Sequence, residues 1–158
     1  TLFPYTTLFR SGLLHKESLV AVMKLSKNTS SRGTKNAGVY ELVRYATSCS
    51  VVGGASKLFK HFLRTHNPTL VRSFSDDGMF TGEMYPKLGF VFDASIPPDY
   101  KVIKGNRRYH KAGFKLSELK RKYPDQFDVT LSEKENCHKL GLYRIYDAGK
   151  TRWLWKAP

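Results

Sequence analysis

The spacing of apolar residues changes period several times along the chain, and each change predicts an element. Gly12–His15 and Leu19–Leu25 are short apolar runs flanking Lys16-Glu17-Ser18, which predicts a β-hairpin. Residues 27–38 are polar and rich in Ser, Thr, Asn and Gly, so a loop is expected. Val39–Thr47 (VYELVRYAT) alternates and predicts a strand. After Gly53-Gly54 the period becomes helical. Ala55, Leu58, Phe59, Phe62 and Leu63 share one face, Lys57, Lys60 and Arg64 lie elsewhere, and Asn67-Pro68 ends the helix. Leu70–Ser75 predicts a strand and Asp76–Gly78 a turn. Thr81–Leu88 predicts a short helix closed by Gly89, with Pro86 inside the span. Phe90–Ala94 predicts a strand, Pro97–Lys104 an extended segment and Ser117–Tyr123 a brief helix. Leu142–Asp147 and Thr151–Lys156 flank Ala148-Gly149-Lys150 and predict a terminal β-hairpin. The order implies an α/β fold around a mixed, mostly antiparallel sheet with flanking helices.

Composition narrows the class. The 158 residues are 41% hydrophobic and 13% aromatic, enough for a real core, which excludes disorder. No apolar run approaches the roughly 18 residues of a membrane span, so no membrane partner is expected. Cys49 and Cys137 lie far apart, which is no disulfide framework and fits a reducing cytoplasm. The histidines show no metal spacing with the cysteines, so no metal site is expected. There is no P-loop, dinucleotide fingerprint, Ser-His-Asp order or nuclease carboxylate–lysine cluster.

Charge adds a partner class. The net charge of +14 favours polyanions, above all nucleic acid. It is unevenly spread, with net −4 over residues 74–100 and net +8 over residues 101–123. In the basic stretch Tyr109, Phe114 and Tyr123 alternate with cations, as on surfaces that neutralise phosphates and stack bases. Lys101, Lys104, Arg107, Arg108, Tyr109, Lys111 and Lys115 are the candidate DNA-binding residues. The alternative is a solvated basic face whose rings are core anchors.

Thr1–Ser11 (TLFPYTTLFRS) lacks the basic n-region and cleavage site of a signal peptide. It resembles the translation of a sequencing adapter carried into a metagenomic reading frame. Residues 1–11 are therefore expected to lie outside the fold, with a core over 12–100 and a basic, hairpin-ended extension over 101–158. The natural chain is expected to extend upstream.

Two segments carry chemistry. Ser50-Val51-Val52-Gly53-Gly54-Ala55 joins the predicted strand to the predicted helix. Glycines there let backbone N–H groups approach an anion, aided by the helix dipole, although a tight turn uses the same residues. Gly82–Phe90 reads GEMYPKLGF. Together these resemble the GNAT acyltransferase superfamily, whose pyrophosphate loop reads Arg/Gln-x-x-Gly-x-Gly/Ala and whose second motif reads Leu-Tyr-x-Lys-Leu-Gly-Phe. Met84–Phe90 matches the second motif well, while Ser50 replaces the usual Arg/Gln of the first. The resemblance spans Gly12–Ala94. It implies a GNAT-like fold, with Val52, Gly53, Gly54 and Ala55 at an acetyl-CoA site. The strand and two helices that precede the hairpin in that fold are missing, so an N-terminally truncated version is expected.

A longer stretch, from YELVRYATSCSVVGGASKLFKHFLRTHNPTLVRSFSD through GEMYPKLGF to GLYRIYDAGKTRWLW, resembles the C-terminal region of phage Hef-like homing endonucleases. More distantly, Arg44, Ser56, Asp76 and Tyr85 make the pattern similar to Mom-type DNA-modification proteins of phage Mu. These resemblances imply a mobile-element protein in the cytoplasm of a bacterial host, DNA as partner and a nuclease domain upstream. The domain would bind DNA or modify a base. Acyl-CoA-dependent acetylation of a small or protein amine stays open, as does a non-catalytic module positioning the upstream nuclease.

The GNAT resemblance implies that Tyr85 is a general acid for the departing thiolate, the alternative being a buried tyrosine with a satisfied hydroxyl. Asp76, at a strand end, could orient or deprotonate an amine, or form an Asx turn, a role that suits Asp77 better. Arg44 could hold a phosphate or carboxylate, or pair with Glu41. Ser56 could donate to an anion or simply occupy the first helical turn.

Overall fold

The computed structural model describes residues 8–29 and 35–158, which divide into two compact units. The first runs through Ile96 and takes in Lys150–Pro158, and the second is Pro97–Gly149.

In the first unit β1 (Leu8–His15) and β2 (Ser18–Thr29) form the expected hairpin around Lys16 and Glu17, both at positive φ. This is the backbone twist that a two-residue hairpin turn requires. β3 (Lys35–Thr47) pairs antiparallel with β2, so strand structure enters the segment expected to be a loop; residues 30–34 lie outside the described residues. α1 (Gly54–His66) follows and ends at Asn67, which is left-handed at φ 42. β4 (Leu70–Asp76), the single-turn α2 (Met84–Lys87) and β5 (Val91–Ile96) come next. The last strand of the chain, β9 (Lys150–Lys156), completes a six-stranded sheet in the order β1-β2-β3-β4-β9-β5. Among the described strands only β3 and β4 run parallel, joined by the α1 crossover. Met23, Leu25, Tyr40, Leu42 and Val71 from the strands, with Phe90 just before β5, bury against Leu58, Phe59 and Phe62 of α1.

The second unit carries β6 (Tyr100–Lys104), β7 (Arg107–His110), a 3-10 turn (Lys111–Phe114), α3 (Leu116–Lys122), α4 (Glu133–Lys139) and β8 (Tyr143–Tyr146). Its three-stranded sheet has the order β7-β6-β8 over a core of Val102, Phe114, Leu119, Cys137 and Leu142.

Several expectations are corrected. Residues 1–7 lie outside the described residues, but Leu8–Ser11 are paired in β1, and the Phe9 ring lies 4.3 Å from that of His66. The expected helix over Thr81–Leu88 shrinks to one turn. Pro86 fits there because first-turn N–H groups have no helical partner. The terminal hairpin does not form. β8 pairs with β6, while β9 inserts between β4 and β5. Asp147 holds the end of β8 to β6: its N–H donates to the Asp99 carbonyl and its carboxylate accepts from the Asp99 N–H. An inserted β9 gains a ladder on both sides, where a hairpin gives one. Among the described residues no helix is long and apolar enough to cross a membrane.

Candidate functional site

The parallel ladder between β3 and β4 is short. It runs from Val39–Leu70 to Leu42–Ser73 and stops, although β3 continues to Thr47 and β4 to Asp76. Val43 is an extra residue in the β2–β3 register at that point, a bulge that bends β3 just past the last rung. The two strands then follow different partners, β3 with β2 and β4 with β9. Past the fork, Val43–Thr47 and Phe74–Asp76 are no longer paired with each other.

Polar side chains gather at the fork. Ser73, 1% exposed, donates to the Leu42 carbonyl at 2.7 Å and ties the last rung together. The Tyr85 hydroxyl lies 2.9 Å from Ser73 Oγ and 3.2 Å from the Phe74 carbonyl. Because the serine proton is committed to Leu42, the tyrosine must donate. Burial raises the Tyr85 pKa, and the Ser73 contact offsets this in part. The phenol is therefore held protonated at neutral pH, as an acid must be before it acts. The Tyr85 ring stacks on Trp153 at 5.2 Å, and Trp153 Nε1 donates to the buried Ser75 Oγ.

The start of α1 is the second component. Gly53, the residue before the helix, is left-handed at φ 67, which glycine adopts freely. A Cβ on Gly54 would lie 2.8 Å from both the Tyr45 hydroxyl and Val51 Cγ1, so only glycine fits. No carboxylate occupies the first turn and no side chain caps it. The Gly54 N–H donates to the Val51 carbonyl and the Ala55 N–H to the Tyr45 hydroxyl. Burial raises the Tyr45 pKa, and that N–H acts against it. Val52, Gly53 and Ser56 keep N–H groups without a partner among the described residues. The expected set Val52–Ala55 thus divides. Val52 and Gly53 can donate to an anion, Gly54 and Ala55 build the turn, and Ser56 adds a third N–H.

The four expected catalytic residues also divide. Tyr85 and Ser56 belong to the helices, whose core contacts lie on the Leu42–Ser73 side of the sheet. Arg44 and Asp76 alternate with the inward-facing Tyr45 and Ser75, so they belong to the opposite side. Arg44 is exposed and does not meet Glu41, which pairs instead with Arg72 at 3.3 Å. Asp76, not Asp77, makes the Asx turn, accepting from the Gly78 N–H at 2.9 Å. Asp77 accepts from the Thr151 hydroxyl. Sequence reading overlooked Ser73, Ser75, Tyr45 and Trp153. Two serines alternating inward on a buried strand were the available signal.

In the second unit the seven candidate DNA-contacting residues separate. Tyr109 packs on Phe114 at 5.7 Å as a core anchor and is not free to stack on a base. Lys104 donates to the Tyr123 hydroxyl and Lys111 pairs with Asp99. Lys101, Arg107, Arg108 and Lys115 are exposed and have no ion-pair partner among the described residues. No group of His, Cys, Asp and Glu among the described residues could hold a metal ion.

A sheet with one parallel pair that parts at a bulge, beside a glycine-started helix, agrees with the GNAT-like fold expected from the sequence. No protein-family model and no curated protein matches the chain. Among solved structures it is similar to a Bacillus subtilis acetyltransferase in complex with CoA, with TM-score 0.54 and 12% identity over 96% of this chain and 78% of that one. It is also similar to an aminoglycoside 6′-acetyltransferase type Ii, with TM-score 0.53 and 10% identity over 96% and 71%. At such identities the likeness is one of fold, and the fold is GNAT-like. Neither neighbour is a homing endonuclease or a DNA-modification protein.

Proposed function

We propose that the chain is an acyl-CoA-dependent N-acyltransferase domain. The observation that carries this reading is the fork between β3 and β4, with the protonated Tyr85 hydroxyl at its apex. The CoA complex of one structural neighbour supports it. The residues present fit such a cofactor: a helix start with free N–H groups, no acid and a turn tolerating no side chain suits a pyrophosphate. Ser50 supplies no cation there, so the backbone and the helix dipole carry that contact. When bound, acyl-CoA supplies an activated thioester. Val52, Gly53 and Ser56 would hold its phosphates, the unpaired β3 backbone would align its extended arm, and Tyr85 would deliver a proton from its hydroxyl to the leaving sulfur. Ser73 keeps that hydroxyl oriented.

The acceptor is an amine, and an exocyclic amine of a nucleobase belongs to that chemical class. A Mom-type base modification is therefore a variant of the same reading. The neighbours supply no support for a phage setting or an upstream nuclease. Titration with acetyl-CoA tests the proposal. A ligand at a hundred times its Kd stabilises a folded protein by about 2.7 kcal/mol, so the melting temperature should rise clearly. No rise at millimolar acetyl-CoA would sink the reading. Thiol release with polyamine, aminoglycoside, peptide and adenine-containing oligonucleotide acceptors then identifies the amine.

A further inference from the structure

The sheet of the second unit has one covered face and one open face. Val102, 1% exposed, sits in the row Tyr109–Val102–Arg144. That face is covered: Tyr109 meets Phe114, and Arg144 bonds Glu133 of α4 at 2.8 Å. Pairing and alternation place Lys101, Ile103, Arg108, His110, Tyr143 and Ile145 on the other face. Its rows are His110–Lys101–Ile145 and Arg108–Ile103–Tyr143. Lys101, Arg108 and His110 are exposed, Ile145 is 38% exposed, and Tyr143 is 57% exposed with its ring edge-on to His138 at 5.6 Å, which leaves a ring face open. Its strand residues include no acid; Asp99 and Asp147 follow the same alternation just beyond its end, Asp99 paired with Lys111 and Asp147 accepting from the Asp99 N–H. The acidic residues of this unit that have resolved ion pairs are engaged elsewhere: Asp99 with Lys111, Glu118 with Arg121, Asp128 with Lys139 and Glu133 with Arg144.

We propose that this open face binds single-stranded nucleic acid. Two unpaired cations on adjacent strands suit successive phosphates, and an exposed ring with apolar neighbours suits an unstacked base. A flat sheet presenting an aromatic is a poor fit to duplex grooves, which admit helices or ribbons. Charge complementarity selects a polyanion, and Tyr143 selects the single-stranded form. The surface is separate from the acyltransferase reading and does not depend on it.

The test is fluorescence anisotropy of the full chain with labelled oligo-dT, oligo-rU and a mixed-sequence duplex over a salt series. Lys101→Glu/Arg108→Glu is compared with Lys120→Glu/Lys134→Glu, the same charge change on the helices. The open-face pair should weaken single-strand binding at least about tenfold more than the helix pair, and lower the salt slope by about 1.4. Tyr143→Ala should cost about five- to a hundredfold on single strands and little on the duplex. Unaltered melting temperatures check that each variant folds. Relative strength on dT and rU decides whether DNA or RNA is the partner. Equal losses from the two charge pairs, a preference for duplex with Tyr143 silent, or no binding by the unaltered chain each overturns the proposal.

Discussion

In the first unit, ring meets ring: Phe59 lies 5.1 Å from Phe90 and 5.8 Å from Trp155, and Phe62 lies 5.2 Å from Tyr40. The second unit buries five apolar residues and gathers polar ties around them. Asn136, fully buried, donates to the carbonyls of Asp128, Leu131 and Ser132 and accepts from the Asp128 N–H. Ser132 and Glu135 form a capping box at the start of α4. Tyr100 donates to Glu133, which pushes its pKa up to about 12. A wide sheet and an amphipathic helix can bury enough apolar surface to define a structure. A small insertion has less to bury and uses directional bonds to select its loops. The candidate site follows the same division: the fork needs rigid walls, and it lies in the unit with the larger core.

The strongest break in this contrast is Phe62→Ala. It removes a ring that is 1% exposed and touches Phe9, Tyr40 and His66. A loss of about 3–5 kcal/mol is expected, read as a lower denaturation midpoint in tryptophan fluorescence. Both tryptophans lie in β9, so the signal reports the first unit alone. A loss under about 1 kcal/mol, the range of a surface change, would mean that the aromatic cluster does not dominate there.

Asn136→Ala is the corresponding break in the second unit. It strands buried backbone groups while removing almost no apolar surface, so about 2–3 kcal/mol should be lost. Amide exchange should speed up over residues 128–140. The tryptophan signal should not shift at the midpoint set by the first unit. Equal shifts in both signals would show one cooperative structure instead of two separately stabilised units.

The same division explains what could be read from the chain. α1 was legible because Leu58, Phe59, Phe62 and Leu63 keep helical spacing and Asn67-Pro68 stops it. The first hairpin was legible from its flanking apolar runs. β9 was not placed, because Trp153 and Trp155 state which faces are buried but not which strands lie alongside. Local adjacency favoured a hairpin, and the ladder energy of a strand between two partners outweighed it. α4 was overlooked although Ser132-x-x-Glu135 is a helix-start signature, because its body, EKENCHK, has almost no apolar period. At the site, the glycines and Tyr85 were visible as a motif. Ser73 was not, since a serine in a strand shows its role only when the neighbouring carbonyl is known. The basic run is visible in the sequence as charge, but which of its cations are ion-paired depends on strand register.

Tyr85→Phe sharpens the link between core and chemistry. It deletes the hydroxyl from Ser73 and Phe74 and keeps the stack on Trp153, so stability should fall by only about 1 kcal/mol. Turnover should fall about 10²-fold or more if that hydroxyl is the acid. Acetyl-CoA should still raise the melting temperature. Unchanged turnover would leave Tyr85 as a positioning residue of the fork.

The smallest expected effect separates the units by pH. His66 lies among Phe9, Tyr40 and Phe62, and burial lowers its pKa below the ordinary 6.5, with His61 and Lys27 adding repulsion. The folded state therefore holds this proton less tightly than the unfolded chain. Its stabilising effect is complete above 6.5 and fades as pH falls through 6.5 towards the lowered folded value. In the second unit, hydrogen bonds to Lys111, Arg121, Thr130 and Ser132 lower the pKa values of Asp99, Glu118, Asp128 and Glu135 respectively. Their stabilising effect is present above the ordinary carboxylate values of 3.8 and 4.5 and fades below them. These carboxylates are solvent-exposed, so the acid-side loss should be shallow. Melting followed by tryptophan fluorescence should decline from pH 7 to pH 5, while amide exchange in residues 97–149 stays level until pH falls further. His66→Leu should flatten the first decline and leave the second. A decline that persists unchanged in His66→Leu would remove the histidine from the account and return the difference between the units to packing alone.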